Sequence, residues 1–155
     1  MSDPKELRHA ALFDLSDDGD QPPAPAPKRK AKAKSPTSRT LDYCRKQGWD
    51  AAVVERWNPH ARVRHDLFGV IDILAMDGLV RGVLAIQATT GSNLGARVEK
   101  VSEEPRARLW LVVGGRLECW GWRKVGKRGE QKKWAVRRLK AELVGGVIEW
   151  DEVGE

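Results

Sequence analysis

Apolar and polar positions alternate in a way that divides the chain sharply. Up to residue 38 there is no periodic apolar pattern apart from a short stretch over 5–14 (KELRHAALFD) compatible with one helix. From residue 39 onward the pattern becomes that of a folded domain. Leu41, Tyr43, Cys44 and Lys46 fit a helix capped by Ser38 or Thr40 and stopped by Gly48. Trp49 to Trp57, rich in alanine and valine, reads as a strand broken by Asn58-Pro59-His60. Arg62 to Phe68 alternates basic and apolar residues. Val70 to Met76 and Gly82 to Thr89 are nearly continuous apolar runs, expected of strands covered on both faces, and Asp77-Gly78 between them predicts a hairpin. A polar helix is expected from Leu94 to Ser102, closed by Pro105. Leu109 to Val113 reads as a third buried strand, and Arg116–Lys124 and Lys133–Leu139 as further strands. The order αβββαβ with extra C-terminal strands predicts an α/β fold around a mixed sheet.

Composition refines this division. Six of the eight prolines lie in residues 1–38, with a polyproline-like spacer at 22–27 and five positive charges at 28–34. This tail is expected to be disordered and residues 39–155 to form the domain. Of the 28 lysines and arginines and 22 acidic residues, the tail holds seven and six, so most of the net +6 belongs to the domain. No apolar run approaches the roughly 20 residues that span a bilayer, and no secretory leader is evident. Two cysteines and three histidines form neither a disulfide framework nor a zinc-site spacing, so a reducing, cytoplasmic setting is expected.

Two polar residues interrupt the apolar strands. Asp72 lies inside VIDILAM and Gln87 near the end of VLAIQAT. A carboxylate in a core strand is costly unless it is paired, hydrogen-bonded or bound to a cation. Across a hairpin turning at Asp77-Gly78, 72 and 87 are near-equidistant from residues 79–80 and fall roughly opposite each other, where two oxygen donors suit a hard divalent ion.

The segments DLFGVIDILAM and VLAIQATTGSN, followed by a helix with Arg97 and Lys100, resemble the PD-(D/E)xK nuclease superfamily over roughly residues 39–113. They are most similar to its small phage-type branch, related to Holliday-junction resolvases and VRR-NUC proteins. The resemblance implies a restriction-endonuclease-like αβββαβ core and metal-dependent hydrolysis of DNA with Mg²⁺ or Mn²⁺. It aligns Asp72 with the family's aspartate, Gln87 with its second acid and Thr89 with its lysine, and leaves the upstream acid to Glu55 or Asp42. Gln87 is neutral and Thr89 uncharged where the family has a carboxylate and a lysine, so a replacement cation is sought in Arg97 or Lys100. Asp66 and Arg64 are candidates for a further ligand and a phosphate clamp. The metal set is then Asp72, the Gln87 side-chain oxygen, the Ala88 carbonyl and Glu55 or Asp66. The alternative is a nucleic-acid-binding protein that has lost cleavage on the same fold. Resolvase-like relatives act as dimers, which makes a homodimer an expectation.

The C-terminal part adds a second candidate surface. Residues 106–140 hold 12 lysines and arginines against Glu118 and Glu130. Trp120, Trp122 and Trp134 are interleaved with Arg123, Lys124, Lys127, Arg128, Lys132 and Lys133. Cations that neutralise phosphates and indoles on which bases stack would form a nucleic-acid groove. The competing expectation is that these tryptophans belong to the core.

Overall fold

The computed structural model describes residues 33–154; the expected helix over 5–14, the proline-rich spacer and residues 28–32 of the basic run lie outside them. The first helix, α1 (Pro36–Lys46), is capped by Ser35, whose hydroxyl accepts from the Ser38 amide, with Pro36 in its first turn. It therefore begins ahead of the expected Ser38 or Thr40 cap. Thr40 is instead buried inside the helix, where its hydroxyl accepts from Trp122 Nε1 at 2.9 Å.

The segment expected as one strand from Trp49 to Trp57 is divided. β1 (Asp50–Val53) ends at Val54 and Glu55, and β2 (Arg56–Asn58) starts a separate two-stranded ribbon with β3 (Val63–His65). Asn58 shapes the ribbon's tip by accepting from the amides of His60 and Ala61. The chain returns through an irregular, buried stretch, Val70 to Asp72, into β4 (Ile73–Met76). The turn into β5 (Leu84–Thr90) follows the sequence expectation. Asp77 Oδ1 accepts from the Leu79 and Val80 amides, while Gly78 takes the positive φ of 70° that the bend requires.

After a short 3₁₀ turn at Gly91–Asn93 come α2 (Leu94–Glu103) and α3 (Pro105–Val112), then β6 (Arg116–Val125), β7 (Lys133–Val144) and β8 (Val147–Glu152). The expected strand at Leu109–Val113 is thus the end of a helix. Pro105 occupies its first turn and the Glu104 side chain caps it by accepting from the Arg106 amide. A short apolar run does not distinguish helix from strand, and here Leu109, Val112 and Val113 face outward. The place beside β5 goes to β6, and the parallel pairing of these two strands needs a long crossover that α2 and α3 provide.

The main sheet has the order β1-β4-β5-β6-β7-β8, antiparallel throughout except for β5 and β6. The protein is therefore an α/β domain with a mixed six-stranded sheet covered by helices. Alternation along the strands sorts their residues into two cores. Ile73, Ala75, Leu84, Ile86, Trp120 and Trp122 face α1 and pack with Cys44, Leu41 and Tyr43. Ala85, Leu117 and Cys119 face α2 and α3 and pack with Leu94, Val101 and Ala107. Helix α2 lies so close to β6 that a Cβ on Gly121 would stand 3.0 Å from Leu94 Cδ2. No helix among the described residues is long and apolar enough to cross a membrane.

Trp120 is fully buried and closes an ionic centre that the sequence does not reveal. Its Nε1 donates to Glu118 Oε2 at 2.7 Å, and Arg138 donates to both Glu118 oxygens at 2.9 and 3.0 Å while lying 4.7 Å from the Trp120 ring. Removing this indole opens a cavity and strips a hydrogen bond from a buried carboxylate. Trp120→Ala is expected to lower the unfolding free energy by about 3–5 kcal/mol, measurable as a shift of the urea midpoint.

Candidate metal centre

Three carboxylates converge because the β2–β3 ribbon is pinched at its base. The register pairs Arg56 with His65, so the next residues outward, Glu55 and Asp66, stand at the two feet of the ribbon. The same feet adjoin Asp72, the last residue before β4. Ligand atoms of Glu55, Asp66 and Asp72 all lie within 4.8 Å of one another, and this group could hold a metal ion.

Asp72 is anchored from the neighbouring strand. Its amide donates to the Ile86 carbonyl at 3.1 Å, and its Oδ2 accepts from Gln87 Nε2 at 2.6 Å and from the Ala88 amide at 2.9 Å. Asp72 and Gln87 thus meet across the β4–β5 hairpin. The amide of Gln87, however, presents nitrogen to Asp72, whereas the sequence expectation was an oxygen aimed at a cation. Gln87 Oε1 is buried without a hydrogen-bond partner among the described residues. A half-turn of the amide would break the bond to Asp72 and set two acceptor oxygens against each other, so the hydrogen bond fixes the nitrogen toward the carboxylate. Ala88 offers its amide here, and in an extended strand its carbonyl turns to the same side.

The other candidates separate into those at the centre and those elsewhere. Lys100 Nζ, on α2, lies 3.6 Å from Asp66 Oδ2, and the Arg64 guanidinium pairs with Glu55. Both cations reach in from solvent to partners that are mostly buried. Arg97 is one turn earlier on α2 and half-buried. Thr89 is buried two positions beyond Gln87 on the same face of β5. Asp42, the alternative upstream acid, is not part of the group. It lies on α1, on the other face of the sheet, bound to Lys34 and Arg45. Burial pushes the Cys119 thiol up to about 12, with the Asp72 charge adding to it, so Cys119 stays protonated and offers no thiolate.

The basic C-terminal residues form an arm. Thr90, the last residue of β5, pairs with Trp122, and β6 and β7 continue past it to Val125 and Lys133, roughly 10 Å further. Arg123, Lys124, Lys127, Arg128, Lys132 and Lys133 are all exposed on this projection. It leaves the sheet at the same end as the β2–β3 ribbon, because Asp72 precedes β4 where β5 finishes. The expected aromatic platform needs correction, since Trp120 and Trp122 belong to the core facing α1. Trp134 is exposed, but its ring is covered by the Arg39 guanidinium at 3.6 Å.

No family model, curated protein or solved structure matches the chain.

Charge crowding leaves a signature at Asp72. Burial raises its carboxyl from the ordinary 3.8 to about 7, with repulsion from Asp66 and Glu55 adding to the rise and the Ala88 amide opposing it. Between these values the folded chain holds a proton that the unfolded chain has lost. The associated stability is complete below about pH 4 and disappears as pH rises through about 7. In a chelating buffer the melting temperature should therefore fall between about pH 5 and about pH 8, and Asp72→Asn should flatten that slope. Adding Mn²⁺ should restore stability most strongly at the alkaline end, where the carboxylate is free to bind it. Calorimetric melts across this range provide the check.

Proposed function

We propose that the protein is a divalent-metal-dependent phosphodiester hydrolase acting on DNA, of the PD-(D/E)xK type, with a variant D…QxT motif. The observation that carries this reading is the convergence of Glu55, Asp66 and Asp72 within 4.8 Å, with Lys100 paired into the same group. All three offer hard oxygen donors, and Gln87 orients one of them by donating its Nε2 to Asp72 Oδ2. The residues present therefore fit Mg²⁺ or Mn²⁺. The element order supports the same reading. A helix (α1), three antiparallel strands (β1, β4, β5), a helical crossover and a parallel strand (β6) follow the αβββαβ plan, with the β2–β3 ribbon inserted between the first two core strands.

A bound Mg²⁺ or Mn²⁺ supplies Lewis acidity toward a phosphodiester and lowers the pKa of a coordinated water. Asp72, Asp66 and Glu55 are the residues that would hold it, and Gln87 fixes the Asp72 carboxylate through its 2.6 Å bond. Thr89 carries no charge, so the cation of the site is Lys100, which neutralises negative charge on the scissile phosphate from α2 rather than from β5. Arg64, paired with Glu55 at the same group, would act as a clamp on that phosphate. The exposed cations of the β6–β7 arm engage the DNA backbone without reading sequence.

One observation favours the second reading, a DNA-binding protein without hydrolysis. Gln87 donates to Asp72 in place of a second acid, which lowers the negative charge available to a cation. Cleavage of single-stranded, duplex and branched DNA in Mn²⁺ separates the two. Asp72→Ala is expected to abolish Mn²⁺ binding in calorimetry and to reduce cleavage by about 100-fold or more. Lys100→Ala is expected to keep Mn²⁺ binding while slowing cleavage by about 100-fold. Salt-dependent DNA binding without cleavage by the unaltered protein would leave only the second reading.

A further inference from the structure

Six of the seven tryptophans have a structural partner. Trp110 Nε1 donates to the Arg116 carbonyl, Trp150 Nε1 to Ser102, Trp122 Nε1 to Thr40 and Trp120 Nε1 to Glu118. Trp49 packs edge-on against Tyr43 and Trp120, and Trp134 lies under Arg39. Trp57 is different. It is 58% exposed, the most exposed aromatic residue among those described, and it has no aromatic, cation–π or indole hydrogen-bond partner among them. An indole left in water at the middle of a two-stranded ribbon gains little for the fold, so its position calls for another explanation.

That position is tied to the candidate metal centre. Trp57 pairs across the ribbon with Arg64, so their side chains share one face, and Arg64 is the residue bound to Glu55. Glu55 and Asp66, at the feet, continue the same alternation. The surroundings are cationic: the segment 56–65 contains Arg56, Arg62, Arg64, His60 and His65 and no acidic residue. Arg56, Trp57, Asn58, Pro59 and His65 border a shallow cleft of ≈ 410 Å³.

We infer that Trp57 is a stacking platform for an unpaired base of single-stranded DNA, held beside the Glu55–Asp66–Asp72 group. A base inside a duplex has both faces covered by its neighbours and cannot use this indole, whereas an unpaired base offers a free π-face next to phosphates that Arg56 and Arg64 attract. The inference rests on the reading of the centre as a DNA hydrolase and narrows its substrate to strands that are single, frayed or unpaired at a branch. Trp57 binds and positions; it touches the base and not the reacting atoms.

The test is binding in EDTA, where metal-dependent hydrolysis is silent. Anisotropy titrations use a labelled oligothymidylate of about 20 nucleotides and a duplex of the same length, as multi-nucleotide sites of this kind require. Trp57→Ala is expected to weaken oligothymidylate binding by roughly 5- to 100-fold and duplex binding by less than about twofold. Trp57→Phe, which keeps a flat ring, should recover most of the loss. The slope of log affinity against log salt should stay unchanged, because no charge is removed. A folded Trp57→Ala protein that binds oligothymidylate as tightly as the unaltered chain overturns the inference. So does equal weakening of both DNA forms, or the absence of any binding to oligothymidylate. A selective loss in the alanine variant, from a protein that never cleaves DNA, would sustain the platform and remove the hydrolase reading. Cleavage that survives with binding unaffected by the substitution would do the reverse.

Discussion

The arrangement at the end of the sheet depends on one buried carboxylate. Asp72 is 5% exposed, lies between apolar neighbours, and is retained there by the Ile86 carbonyl, the Gln87 side chain and the Ala88 amide. Those bonds fix where β4 begins against β5. They also fix where the ribbon inserted after β1 must return to the sheet. Leaving a charged group in such a place costs several kcal/mol unless its partners offset the loss of water. Two further acids brought to the same point raise that cost, so the group acts as a reserve of unfavourable charge that a cation would relieve.

The remainder of the domain is built to tolerate this strain. Below the centre, two independent cores clamp the sheet, one under α1 and one under α2 and α3. The Glu118–Arg138 pair within the α1-facing side is satisfied by good geometry and by tryptophan, so it contributes order without seeking an external ligand. The contrast is informative. One buried acid has its countercharge built in, whereas Asp72 has only amide donors and two acidic neighbours.

Much of this was legible in the residue pattern. Asp72 within VIDILAM and Gln87 within VLAIQAT break an apolar rule that the neighbouring positions obey, and the two are equidistant from residues 79–80 in the turn that Asp77-Gly78 opens. What escaped were features decided at long range. Leu109 to Val113 has the composition of a strand, yet Glu104 and Pro105 start a helix there, and the parallel β5–β6 pairing requires one. Glu55 and Asp42 were equivalent candidates in one dimension; the register of the ribbon sets Glu55 beside Asp66, while α1 carries Asp42 to the other face of the sheet. Likewise, alternation assigned Trp120 and Trp122 to a single face, but which face was covered depended on α1 lying across it. The orientation of the Gln87 amide is settled by a hydrogen bond and has no counterpart in the sequence.

The pairing of Arg56 with His65 has a consequence for how this centre tolerates change in chain length. Pleated ladders repeat every two residues, so one residue added to or taken from the turn at 59–62 would slide one side of the ribbon past the other. Every acid would still be encoded, yet Glu55 and Asp66 would point to opposite sides. Compensated pairs of insertions, or none, are what such a loop can accept, which makes the length of this short segment as strict a requirement as the identity of its acids.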